Sequence, residues 1–162
     1  MSTRTIKLCK NSFQFSQHLF LEESLYTLDT DVWRSTEFEK NVSDVLVGFD
    51  KDFNFTKMLR ASSYIKAGAN FIGSNEDAEL PLNRDDLLIP GTGCIIASVK
   101  FGTKKEPTIV GKPSRLAFDL INELTGGTKP EECAMFGDRL DTDIQFGKNC
   151  GLKTVLTLTG KF

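Results

Sequence analysis

From Val45 onward, short apolar and β-branched runs alternate with segments of helical periodicity, and this alternation restricts the fold more than any other feature. Strands separated by helices cannot pair as tight hairpins. Each crossover lays the next strand parallel to the last, so the pattern predicts an α/β fold built on a parallel sheet. The expected strands are 45–49, 70–74, 108–111, 133–137 and 153–158. Between the first two, Phe55, Met58, Leu59 and Ile65 recur at helical spacing, with Asn54 placed to cap the helix and Gly68 to stop it. A second helix is expected over 93–101. A third follows Pro113, with Ser114 as its N-cap and Gly126-Gly127 as its end, and a short fourth over 142–149 stops at Gly151.

Two irregular stretches interrupt this rhythm: 75–90, and the polar hinge 102–107, which reads as a domain boundary. Residues 1–44 differ in kind, with no clear period over 11–28 and then an acidic run containing Asp29, Asp31, Glu37, Glu39 and Asp44. They are read as a divergent, partly ordered segment, in which Phe-rich 13–20 is either packed core or docking surface. The organisation expected is therefore 1–44, 45–106 and 107–162.

Charge narrows the function classes. The 20 Lys and Arg against 22 Asp and Glu leave a net charge of -2, without the broad basic face that tracks a phosphate backbone, so no nucleic-acid partner is expected. A small anionic ligand remains compatible. No apolar run reaches the roughly 18 residues of a membrane helix, so no membrane partner is expected either. Cys9, Cys94, Cys133 and Cys150 lie far apart without a C-x-x-C pair, which disfavours a zinc site or disulfide framework and suits a cytoplasmic location. With His18 as the only histidine, triad catalysis and multi-His metal sites have little to rest on.

In an open parallel sheet, ligands gather beyond the carboxyl ends of the strands, so polar residues just after strands are the first candidates. Asp50 and Asp52 follow the first strand, Lys112 the third and Asp138 the fourth. A lysine and a carboxylate at neighbouring strand ends suit phosphoryl transfer, because a hard cation needs oxygen ligands and the transferred group needs positive charge nearby. Each piece also has a structural explanation. Lys112 before Pro113 fits a solvated turn, Asp141 fits an N-cap for the helix near Thr142, and Asp143 fits the first turn of that helix, where the dipole favours a carboxylate.

Taken together, the motifs of 45–160 resemble the haloacid dehalogenase (HAD) superfamily of aspartate-nucleophile phosphatases. The match is to the phosphoglycolate phosphatase and 4-nitrophenylphosphatase group, which includes pyridoxal phosphate phosphatase. It rests on Val47-Gly48-Phe49-Asp50 with Phe53, Ser74-Asn75-Glu76-Asp77, Pro90-Gly91-Thr92-Gly93 and Gly111-Lys112-Pro113-Ser114. Gly137-Asp138-Arg139-Leu140-Asp141-Thr142-Asp143-Ile144 and Gly151-Leu152-Lys153-Thr154-Val155 continue it in the family's order. The resemblance implies a Rossmann-like core joined to an α/β cap, with 45–106 as a cap portion and 107–162 as the second core half. It further implies Mg²⁺ as cofactor and a small phosphorylated metabolite as partner, and it leaves open a homodimer through the cap. By motif, Lys112 corresponds to the phosphoryl-binding lysine, Asp138 to the late magnesium ligand and Asp143 to a carboxylate that orients its neighbours. Asp52, Asn75 and Asp77 are the candidates for contact with substrate.

The family's nucleophile motif, a hydrophobic strand ending in Asp-x-Asp-Gly, has one superficial counterpart. Asp50 and Asp52 are followed by Phe53-Asn54 instead of the glycine that lets the backbone close around metal and phosphate. The Val-Gly-Phe-Asp context matches the family's cap. The first core half is thus expected to be missing and the chain as given to have little turnover. Two rivals stand beside this: a small capless phosphatase using Asp50 as nucleophile, Asp52 as acid/base and Ser74 as phosphoryl-binding hydroxyl, and a non-catalytic interaction remnant.

Overall fold

The computed structural model describes Arg34, 37–81 and 86–159. The readings made for Cys9, His18 and the Phe-rich 13–20 therefore lie outside the described residues. The chain divides into two compact units, Met1–Thr108 and Ile109–Phe162.

In the first unit, β1 (Asp44–Val47) pairs in parallel with β2 (Asn70–Gly73), in the register Val45 opposite Phe71 and Val47 opposite Gly73. The crossover between them is α1 (Phe55–Lys66), which starts where the Asn54 side chain accepts a hydrogen bond from the N–H of Lys57 at 3.0 Å. It ends before Gly68, whose φ of 112° is a conformation that a side chain rarely tolerates. Alternation along β1 puts Val45 and Val47 inward, where they join Ile65 of α1 and Phe71 of β2 among the buried residues. The second helix, α2 (Thr92–Thr103), packs on α1 and β1 and buries Ile96 and Val99. Residues 37–39 run along α1: the Phe38 and Tyr64 rings meet edge to face at 5.5 Å, and the N–H of Glu39 donates to the Tyr64 hydroxyl at 3.0 Å.

The described parts of the irregular stretch, 75–81 and 86–90, contain two short strands. Glu79–Leu80 (β3) and Ile89–Pro90 (β4) form a short antiparallel ladder. Its pairing lasts two residues, too few for a period-2 hydrophobic signal to register in the sequence. A two-residue strand, β5 (Thr108–Ile109), spans the point where the first unit gives way to the second.

In the second unit, β6 (Ala134–Gly137) and β7 (Lys153–Leu156) pair in parallel, with Gly137 opposite Leu156. One face is covered by α3 (Leu116–Leu124) and α4 (Gln145–Cys150), where Phe118, Phe146 and Cys150 form a buried cluster against Met135, Leu152 and Cys133. A side chain at Gly147 would collide with Thr154, so only glycine lets α4 come this close to the strands. Among the described residues the other face is uncovered: Phe136 is 64% exposed, and Val155 opposite it on β7 is exposed as well. That is unusual, because parallel sheets are ordinarily covered on both sides.

Two local expectations need correction. The third strand stops at Ile109 because Gly111 to Ser114 turn, with the N–H of Ser114 donating to the Gly111 carbonyl at 2.9 Å. Its neighbour α3 begins at Leu116, and Arg115 before it already has helical φ and ψ, so the capping group is the Ser114 hydroxyl, which accepts the N–H of Leu116 at 3.4 Å as expected. Asp141 is not a cap: a π-helical turn over Leu140–Ile144 leads into α4, so helical winding has already begun before Asp141. The capless-phosphatase reading also needs the strands to form a single sheet, whereas β1 and β2 belong to one sheet and β6 and β7 to another.

Candidate functional site

The second unit brings together the residues that follow its strands. Lys112 stands in the turn after β5, and its Nζ lies 2.6 Å from Oδ1 of Asp143. Asp143 is buried in the π-helical turn after β6, with its side chain 8% exposed against 49% for Lys112. Its other oxygen accepts the N–H of Arg139 at 3.2 Å, so backbone and ammonium hold the carboxylate from two directions. Burial pushes the Asp143 carboxyl upward, but the Lys112 hydrogen bond, together with backbone donors at Arg139 and Asp138, outweighs it and holds the group below its ordinary range. A Cβ on Gly137 would collide with the Asp143 side chain, which explains why the strand ends in glycine at this point.

Asp138 follows Gly137 directly and is half-buried. Its carboxylate carries no ion pair among the described residues, which leaves it available to a cation. Arg139 instead pairs with Asp141 at 2.9 Å, and this guanidinium holds the Asp141 carboxyl below its usual range. Carboxylate oxygen at a strand end is the donor chemistry a magnesium ion prefers. Among the described residues, however, no three acidic, histidine or cysteine side chains gather as a metal cluster. Asp138 thus fits as one ligand of a coordination shell, while both oxygens of Asp143 are engaged by Lys112 and the Arg139 N–H.

The first unit holds the other candidates. Asp50 is tied down within its own loop: Oδ1 accepts the N–H of Asp52 at 2.9 Å, and Oδ2 pairs with Lys57 Nζ at 2.6 Å. These bonds give it a structural role in the turn from β1 into α1. Asp52 is exposed in that turn, 3.9 Å from Lys51. Asn75 and Asp77 lie in a half-buried loop where Asn75 Oδ1 accepts the N–H of Asp77 at 3.3 Å. The Pro90-Gly91-Thr92-Gly93 stretch clamps this loop, with Gly91 N–H donating to Ala78 O at 2.8 Å and Gly93 N–H to Asp77 O at 2.9 Å. Side chains at Gly91 or Gly93 would strike the backbone of residues 76–79, so the two glycines permit the clamp.

Sequence reasoning missed Lys57, Arg139 and Asn149 as partners. Lys57 and Arg139 had a readable signal, since each is a cation within a turn or two of an acidic candidate. Asn149 had none, because its Nδ2 donates to the carbonyl of Pro113, 36 residues away, at 2.8 Å.

Known hydrolases resemble this chain in sequence and in fold. A family model described as HAD-hydrolase-like matches residues 109–162. The chain is 43% identical over 129 residues to glycerol-3-phosphate phosphatase of Homo sapiens, covering 79% of this chain and 40% of that protein. Among solved structures, a thermostable NPPase from Geobacillus stearothermophilus superposes with a TM-score of 0.67 at 34% identity, covering 74% of this chain and 47% of that one. Glycerol phosphate phosphatase from Mycobacterium tuberculosis in complex with magnesium superposes with a TM-score of 0.66 at 28% identity, covering 76% of this chain and 36% of that one. The chain spans about 40% of the length of the human relative it matches. In sequence and in fold, it belongs to the HAD-like hydrolases, and the relatives it matches are phosphatases.

Proposed function

We propose that this chain carries the phosphoryl-binding and metal-binding half of a Mg²⁺-dependent phosphomonoester hydrolase. The observation that carries this reading is the Lys112–Asp143 pair at 2.6 Å, with Asp138, which carries no ion pair among the described residues, at the end of β6. When bound, magnesium would supply positive charge to a phosphoryl group. Lys112 holds phosphoryl oxygens through its ammonium, Asp143 fixes that ammonium, and Asp138 offers oxygen to the cation. Asp52, Asn75 and Asp77 contact the organic part of a small phosphorylated metabolite, with phosphoglycolate and glycerol phosphate as the first esters to try. A cytoplasmic location accords with the free thiols of Cys94, Cys133 and Cys150. No helix of the described residues is long and apolar enough to cross a membrane.

The nucleophile belongs to a segment outside this sequence. Asp50 is engaged by Lys57 and by the Asp52 N–H, and the face of β6 and β7 that the described residues leave uncovered at Phe136 is the surface on which such a segment would pack. The purified chain is therefore expected to release no nitrophenol from p-nitrophenyl phosphate with Mg²⁺. Turnover abolished by Asp138→Asn would overturn the assignment of the nucleophile elsewhere. Mg²⁺ affinity unchanged by Asp138→Asn would overturn the metal assignment.

A homodimer through the first unit is the corresponding expectation for assembly. Phe55, Met58, Leu59 and Phe101 line an apolar groove of about 550 Å³ between α1 and α2, with Phe101 87% exposed. Sedimentation should show a dimer that Phe101→Asp dissociates, and a monomer at all concentrations would sink this expectation.

A further inference from the structure

Lys112 is held from two places on one helical stretch. Its ammonium meets Asp143 in the π-helical turn, and the carbonyl of the next residue, Pro113, accepts a hydrogen bond from Nδ2 of Asn149 on α4 at 2.8 Å. Asn149 is itself oriented, because its Oδ1 accepts from Gln145 Nε2 at 2.7 Å, one helical turn earlier. That acceptance fixes which end of the amide faces Pro113. The turn between is closed by the N–H of Ser114 on the Gly111 carbonyl at 2.9 Å. Backbone position and side-chain tip of the lysine are thus both referred to 140–150, which also carries the buried Asp143.

We propose that Asn149, oriented by Gln145, is a positioning residue for Lys112: it fixes the turn from which the lysine reaches its anion. The inference rests on the reading of Lys112 as the phosphoryl-binding lysine. A lysine side chain has four carbons of rotational freedom, so its ammonium is precise only if its backbone is anchored as well as its tip. Asn149 is exposed, and Pro113 is not in the buried core. Removing the bond leaves the carbonyl to water, so a purely structural role predicts little change anywhere. A positioning role predicts a change confined to Lys112.

The test uses the full chain and two readouts. The first is the affinity for orthophosphate in the presence of Mg²⁺, followed by titration calorimetry. The second is the NMR separation of the two Hε protons of Lys112, which are distinct when the side chain is held and merge when it rotates freely. Asn149→Ala and Asn149→Asp should each weaken phosphate binding roughly three- to tenfold and merge the Hε signals, with the urea midpoint unchanged; the aspartate keeps the shape but loses the donor. Asn149→Gln, which retains a donor amide, should recover part of both. Loss of phosphate binding in Lys112→Ala together with wild-type behaviour of Asn149→Ala and Asn149→Asp would overturn the role of Asn149 and leave the site standing. Phosphate binding indifferent to Lys112→Ala would overturn the site reading itself, and Hε signals unchanged in Asn149→Asp would overturn the positioning role independently of any ligand.

Discussion

Nζ of Lys112 and Oδ1 of Asp143 are 2.6 Å apart although 31 residues separate them in the chain. Neither residue is distinctive alone, since lysines before proline and acids in first helical turns are common surface features. Their meeting depends on β6 ending in glycine, on the π-helical turn that follows, and on the Gly111 to Ser114 turn that aims the lysine back at the strand ends.

The pairing makes stability depend on acid. Asp143 is held below its ordinary range in the folded chain, so its contribution is complete above the unfolded carboxylate value and disappears as pH falls through the depressed folded value. Asp143→Asn should therefore be less stable than wild type at neutral pH, with the gap closing as the medium becomes strongly acidic. Urea denaturation across that range checks it, and a gap constant with pH would count against the ion pair.

Gly137→Ala should disturb the same pair by steric means. The added methyl meets the Asp143 side chain, so either the carboxylate or the strand end must move. Overpacking of this kind costs about 1–3 kcal/mol. Denaturant unfolding should show that loss, and the Hε protons of Lys112 should report a looser side chain; a variant as stable as wild type would argue against the close approach.

Two apolar residues of α2 should behave oppositely. Ile96 is 2% exposed in α2, and truncation to alanine leaves a cavity that costs about 2–5 kcal/mol. Phe101, on the same helix, is 87% exposed, and Phe101→Ala should stay within about 0.5 kcal/mol in the monomer. Equal losses in thermal or urea unfolding would contradict the packing described.

Among the described cysteines, Cys94 is exposed and Cys150 is buried, and burial pushes the Cys150 thiol up, leaving it protonated and unreactive. Iodoacetamide under native conditions should mark Cys94 well before Cys150, with Cys150 modified only when urea unfolds the second unit. Peptide mass spectrometry reads the order directly, and early labelling of Cys150 would refute its burial.

Much of this was legible in the chain. Alternating runs and helical spacing are local properties, so strands near 45, 70, 134 and 153, the Asn54 cap and the Gly68 and Gly151 stops appear where expected. The glycines at 91, 93 and 137 were visible as motif residues, but their reason was not: each makes room for a group brought close by folding. The β3–β4 ladder was illegible because two paired residues carry no period.

Local order thus came from the sequence alone: the parallel α/β pattern, the helix boundaries to within a few residues, and the residue types that follow each strand. Three-dimensional packing decided which of those residues meet. Lys112 takes Asp143 as its partner, Asp138 carries no ion pair among the described residues, Asp50 turns to Lys57, and Asn149 reaches back to Pro113. The reason is that periodicity records which face of an element is apolar, whereas a hydrogen bond between distant residues is fixed only when turns and close-packed glycines bring the elements together.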